Sequence, residues 1–99
     1  MFKNHFHTYV AGIKHHRKAF YALDLEQREH SLELIEDPEN KHDPNAIKVV
    51  VDGKHIGYVP KEKTAKVRKF LSKIYEISAE VELDGDFWED VEIFIWYKK

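Results

Sequence analysis

The sequence predicts a mainly β domain with one or two helices, arranged as a small, partly open, six-stranded antiparallel β-barrel. Three observations lead there. Short runs rich in Val, Ile and Tyr recur along the chain, and "YEISAEVEL" at 75–83 alternates apolar and polar residues without a break. The Asp-Gly step of "DGK" at 52–54 marks a tight hairpin. The period turns helical in one stretch, where Val67, Phe70, Leu71 and Ile74 fall at i, i+3, i+4 and i+7 over about 61–73. A two-layer α+β sheet under one covering helix is the alternative.

In chain order, "HFHTYVAGIK" (5–14) reads as a strand anchored by Tyr9, Val10 and Ile13, with Gly12 allowing a bulge or close backbone approach. "HHRKAFYALDLEQREH" (15–30) reads as loop with one helical turn. "SLELIED" (31–37) places Leu32 and Leu34 on one face of a short strand. "AIKVVVD" (46–52) is the most strand-like segment, and "HIGYVP" (55–60) returns as its partner and stops at Pro60. The helix then shows an outer face of lysine and arginine. "YEISAEVEL" is a half-buried antiparallel strand. "DGD" turns the chain, and "VEIFIWY" (91–97) closes the sheet with Val91, Ile93, Ile95 and Tyr97 toward the core. Adjacent hairpins with one helix suggest a barrel whose end or seam the helix plugs.

Ninety-nine residues, 42% hydrophobic and 13% aromatic, suit a single packed domain over 1–99. The chain has no cysteine, which excludes disulfides, thiolate metal sites and a cysteine nucleophile. No apolar run approaches the roughly 20 residues of a membrane span, and no signal-peptide core follows Met1. The expectation is a cytoplasmic protein with no membrane partner. A formal net charge of −2 argues against a broad nucleic-acid coat. The charge is unevenly spread, however. "KHHRK" (14–18) and "KEKTAKVRK" (61–69) are basic, while acids gather at 24–39 and 76–92. Such a pattern suits a small anionic feature better than a long duplex.

Seven histidines invite a metal hypothesis. His5 and His7, two apart on a strand, could chelate, but a zinc site needs three or four convergent ligands, and no such spacing occurs. No cofactor is expected. The sequence also lacks GxSxG, GxxxxGK and GxGxxG, and His42 beside Asp43 does not make a dyad by proximity alone, so an enzyme is not expected. Phe87, Trp88 and Trp96 read as core or rim aromatics, with base stacking as the sharper option.

"DPENKHDPNAIKVVV" (37–51) holds two Asp-Pro steps, two asparagines and a histidine just ahead of a buried run. Pro38, Pro44 and "AIKVVV" need no function beyond building a turn and strand, and Asn45 can cap its own turn. Asn40, His42 and Asp43 carry polarity that a turn does not require. Taken with "YVAGIKHH" before it and "GKHIGYVPKEKTAKV" after it, the stretch resembles the HIRAN domain. The matching positions are Val10 and Gly12; Pro38, Asn40, Asp43, Asn45, Ala46, Ile47 and Val49; and Gly53, Ile56, Gly57, Tyr58, Val59 and Pro60. The resemblance covers about 8–75 and weakens over the last two strands.

That family occurs within fork-remodelling DNA translocases and as short stand-alone bacterial and phage proteins. The resemblance implies an OB-like barrel and, in the translocases, a pocket for the 3′-hydroxyl end of single-stranded DNA. Carried over, Asp43 would accept a hydrogen bond from that hydroxyl, and Asn40 and Tyr58 would line the pocket. Lys14 and Lys61 would face phosphates. His15 and His42 fall where DNA-binding members carry base-sandwiching tyrosines, and imidazole offers less stacking area. The expected function is thus a non-enzymatic module for single-stranded DNA 3′ ends in DNA repair or at replication forks, working beside a DNA-processing protein. A protein-interaction or structural barrel that has lost the pocket is the alternative. A monomer or weak dimer is expected, the dimer if "VEIFIWYKK" were an exposed edge.

Overall fold

The computed structural model describes residues 4–24, 30–72, 76–83 and 91–98. Six strands appear, β1 (Asn4–Tyr9), β2 (Leu32–Glu36), β3 (Ile47–Val51), β4 (Lys54–Tyr58), β5 (Glu76–Leu83) and β6 (Val91–Lys98). Two helices, α1 (Arg17–Tyr21) and α2 (Thr64–Leu71), are each preceded by a 3-10 turn, at Ile13–His15 and Lys61–Lys63. The strands form two antiparallel three-stranded sheets, ordered β1-β6-β5 and β2-β3-β4. They do not close into a barrel, so the architecture is OB-like and partly open. The expected Ile74, Tyr75, Phe87, Trp88 and "DGD" features lie outside the described residues.

The apolar alternation places the core between the sheets. Ile47, Val49 and Val51 of β3, Ile56 of β4 and Val91, Ile93 and Ile95 of β6 are almost wholly buried, with Phe20 of α1 and Val67 and Phe70 of α2 closing the ends. The Asp-Gly hairpin forms as expected: Asp52 and Gly53 have φ of 51° and 78°, the left-handed pair of a type I′ turn. Asp52 also fixes the start of β2. Its carboxylate accepts from the Ser31 amide at 2.9 Å and meets His30 Nδ1 at 2.6 Å, and the His30 bond holds its pKa below the ordinary carboxylate value.

Several expectations are corrected. The first strand ends at Tyr9, because Gly12 takes a φ of 76° and turns the chain into the 3-10 turn. Gly12 is therefore needed for its backbone angle, and a Cβ there would meet nothing within 4 Å. Tyr9 is not a core anchor. It is 51% exposed, and its hydroxyl donates to Glu62 Oε1 at 3.0 Å. Strand β6 is central in its sheet, paired with β1 on one side and β5 on the other, so pairing of two copies through its edge is ruled out.

One irregularity positions the site. The β3–β4 register shifts between Val49 and Val50, which pair with Gly57 and His55, leaving Ile56 as an extra residue in β4. A bulge of this kind reverses the alternation beyond it. It brings His55 and Tyr58 to the same side, with rings 4.8 Å apart at 87°.

Candidate nucleic-acid interface

The 37–46 loop is built by its own side chains. Asn40 Oδ1 accepts from the backbone N–H groups of His42 (2.9 Å) and Asp43 (3.0 Å), while its amide donates to Asp37 Oδ2 at 3.2 Å. Asp43 Oδ1 accepts from the Asn45 amide at 2.9 Å, and Asp37 N–H donates to the Ala46 carbonyl at 2.9 Å, closing the loop onto β3. These are Asx turns, which explain the clustered Asp and Asn residues. The turn therefore does use the polarity of Asn40, contrary to expectation, and Asn45 does not cap its own turn. Its Oδ1 and backbone carbonyl accept from Arg68 of α2 at 3.2 and 3.0 Å, and the same guanidinium reaches Glu36 at 2.6 Å. Arg68 thus clamps loop, β2 and α2 together, a role that its place in a basic helix face concealed.

Five of the seven candidate residues converge. Asn40, His42, Asp43, Tyr58 and Lys61 line one cleft of about 410 Å³, floored by Ala11, Ala46 and Val59. Asp43 lines the cleft, and its Oδ2 accepts no hydrogen bond among the described residues, so the carboxylate keeps one oxygen for a donor. Lys61 stands at the opening of the 3-10 turn after Pro60 and is exposed, as is the His42 ring. Tyr58 forms the opposite wall, held by reciprocal backbone bonds to Ala11 of 2.8 and 2.9 Å.

Lys14 and His15 do not line this cleft. They rim a second one of about 440 Å³ with His16, Arg17 and Lys18, where the 3-10 turn runs into α1. The two clefts are neighbours, since the ring of His16 from the second lies 5.9 Å from the ring of Tyr58 from the first. A third cleft of about 810 Å³, between α2 and β6, is lined by Lys66, Lys69, Phe70 and Tyr97 and holds none of the candidates.

Between the first two clefts sits a pair that the sequence reading missed. The rings of His16 and His55 are 4.4 Å apart, and His55 Nε2 is 2.9 Å from the Gly57 carbonyl, to which the protonated nitrogen donates. Burial and then the neighbouring His15 lower the pKa of His16; burial and then His16 lower that of His55, with the Gly57 carbonyl bond opposing the shift, Lys48 adding to it and Asp37 opposing it. Both values fall below the ordinary 6.5, so the folded state binds fewer protons than the unfolded chain. The pair's contribution to stability is complete above pH 6.5 and is lost as pH falls from there toward the depressed folded values. Melting temperature should therefore decline from pH 7 to pH 5.5, and the decline should shrink in His16→Gln/His55→Gln. An unchanged slope in that variant would remove the pair from the account.

Among the described residues no three histidine or carboxylate side chains gather as a metal site, and no helix is long and apolar enough to cross a membrane. His5 and His7 do share a strand face, their rings 6.0 Å apart.

Fold and site define a small β module with a polar end-cleft beside a basic one, and comparison with known families gives the class a name. The family model of the HIRAN domain matches residues 3–99, and the chain belongs to that family. Among solved structures it is similar to the crystal structure of the HIRAN domain of human HLTF, with a TM-score of 0.69 and 21% identity over 97% of this chain and 77% of that one. At that identity the likeness speaks for the fold. It also extends the match through β5 and β6, where the sequence motifs fade. No curated protein matches the chain in sequence.

Proposed function

We propose that the chain is a DNA-binding module, not an enzyme, that holds the 3′-hydroxyl end of single-stranded DNA in the Asp43 cleft in DNA repair or at replication forks. The observation that carries this reading is the half-used carboxylate. The loop uses Asp43 Oδ1 and leaves Oδ2 without a partner among the described residues, on a side chain that lines the cleft, so a terminal hydroxyl there could donate to it. A 3′-phosphate would bring negative charge against that oxygen and be rejected without any reading of the base. Lys61 supplies a cation for the phosphate next to the end. Lys14 and His15, in the neighbouring cleft whose His16 ring lies 5.9 Å from Tyr58, suit a phosphate further along the strand and not the terminal nucleotide. His42 offers an exposed ring for the terminal base, stacking being worth about 1–3 kcal/mol for a full aromatic platform.

The test is fluorescence anisotropy with oligonucleotides ending in 3′-hydroxyl, 3′-phosphate or duplex. The 3′-hydroxyl strand should bind best. Asp43→Asn should weaken it about ten- to a hundredfold, the range for hydrogen bonds to a charged group. The salt slope should report about two or three phosphates, near −1.4 to −2.1 for a single strand. Equal, weak binding to all three ends would reject end capture. It would favour a structural or protein-interaction module, a reading supported by the near-neutral charge and by histidines where tyrosines are expected.

A further inference from the structure

The outer face of the β1-β6-β5 sheet is separate from the clefts. Register places His5 opposite Trp96, His7 opposite Phe94 and Tyr9 opposite Glu92, all on the side away from the core. The rings pack as two pairs, His5 with Trp96 at 4.9 Å and His7 with Phe94 at 5.5 Å and 18°. Both histidines and Tyr9 are exposed, while Phe94 and Trp96 are half-buried. Four closely packed rings on a solvent-facing sheet form an aromatic platform beyond anything the core requires.

Among the described side chains, the charge beside the platform is one-sided. Strand β5 sets Glu80 opposite Phe94 and Glu82 directly opposite Glu92, and all three carboxylates are exposed. Like charges facing each other across a ladder destabilise the pair. The relief within the described residues is His7 Nδ1, 3.6 Å from Glu92, and the described side chains of this face include no lysine or arginine. A carboxylate-rimmed ring surface repels a DNA backbone. It attracts a cation that can also lie flat on a ring, and guanidinium does both.

We propose that this face is a docking surface for an arginine-bearing segment of a partner protein, with guanidinium groups stacked on the Trp96 and Phe94 rows and paired with Glu80, Glu82 and Glu92. A second copy of the chain fits less well, because an isologous contact would bring the same carboxylates together. The module would then face DNA with its clefts and a basic protein segment with its sheet. This inference does not depend on DNA-end capture.

The probe is a labelled twelve-residue peptide of three Arg-Gly-Tyr-Gly repeats, titrated by anisotropy and by backbone amide shifts on the full chain. Shifts should be confined to β1, β5 and β6. Glu80→Gln/Glu82→Gln/Glu92→Gln should weaken binding about tenfold, from three exposed pairs each worth roughly twofold. Trp96→Ala should weaken it further, and replacing arginine by lysine should lose the stacking share. Both variants should keep the wild-type response to the 3′-hydroxyl oligonucleotide, whatever that response is. The proposal fails if the peptide shifts map to the Asp43 cleft, if the triple variant binds as wild type does, or if the oligonucleotide itself shifts the sheet face. Concentration-dependent broadening of that face without peptide would point to self-association and also overturn it.

Discussion

Gly57→Ala should lower the melting temperature by roughly 12–24 °C, which is about 3 kcal/mol in a domain of this size. A Cβ at Gly57 would stand 2.6 Å from the Ala11 carbonyl oxygen and 2.7 Å from Val10 Cγ1, closer than real Cβ contacts allow. The first neighbour is backbone and cannot rotate aside. It is also tied down, since the Ala11 carbonyl accepts from the Tyr58 amide at 2.9 Å and the Ala11 amide donates back at 2.8 Å. Making room means parting that bridge, which joins the segment after β1 to β4. The bridge also holds Tyr58, so the wall of the Asp43 cleft should loosen with it. Thermal melts with an amide-shift map of Tyr58 and Ala11 check this, and a melting temperature within about 3 °C of wild type would refute it.

Phe20→Ala should cost about 3–5 kcal/mol, the range for removing a buried aromatic, and leave a cavity beneath α1. Phe20 is wholly buried and is the largest such side chain in a helix of five residues. So short a helix has little stability of its own, and it stays in place because this ring is sunk in the core. The basic cleft is carried on the same segment, from Lys14 to Lys18. A partly folded variant should therefore lose the contribution of these cations to the salt slope while keeping the Asp43 preference for a 3′-hydroxyl. Chemical denaturation gives the stability change, and a loss under about 1 kcal/mol would contradict the burial argument.

The strands were legible because each carries a local signal. The β-branched run of 47–51, the Asp-Gly turn and the apolar alternation of β6 each state their place without tertiary help. The Asp43 cleft was legible through a signature of resemblance, and five of its residues do meet. Lys14 and His15 line the neighbouring cleft instead, where Gly12 turns the chain after β1 through an angle that strand periodicity does not encode. Arg68 and the His16–His55 pair were missed for a related reason. Each acts on residues far away in sequence, and Arg68 looked like any cation on the outside of an amphipathic helix.

The extra residue in β4 has a consequence for how this chain can vary. Its position puts His55, Ile56 and Gly57 of β4 opposite only Val50 and Val49 of β3, so one residue can be lost there without changing which residues face each other beyond it. Without Ile56 the ladder would run flat, with Gly57 still opposite Val49 and Tyr58 still opposite Lys48, and the cleft wall would keep its face. The loss would fall on the core, which would give up a wholly buried side chain, and on the bend and added twist that a bulge brings. The bulge is therefore the place in "HIGYVP" where a change of length is absorbed by pairing, while a polar side chain at Ile56 would have nothing to absorb it.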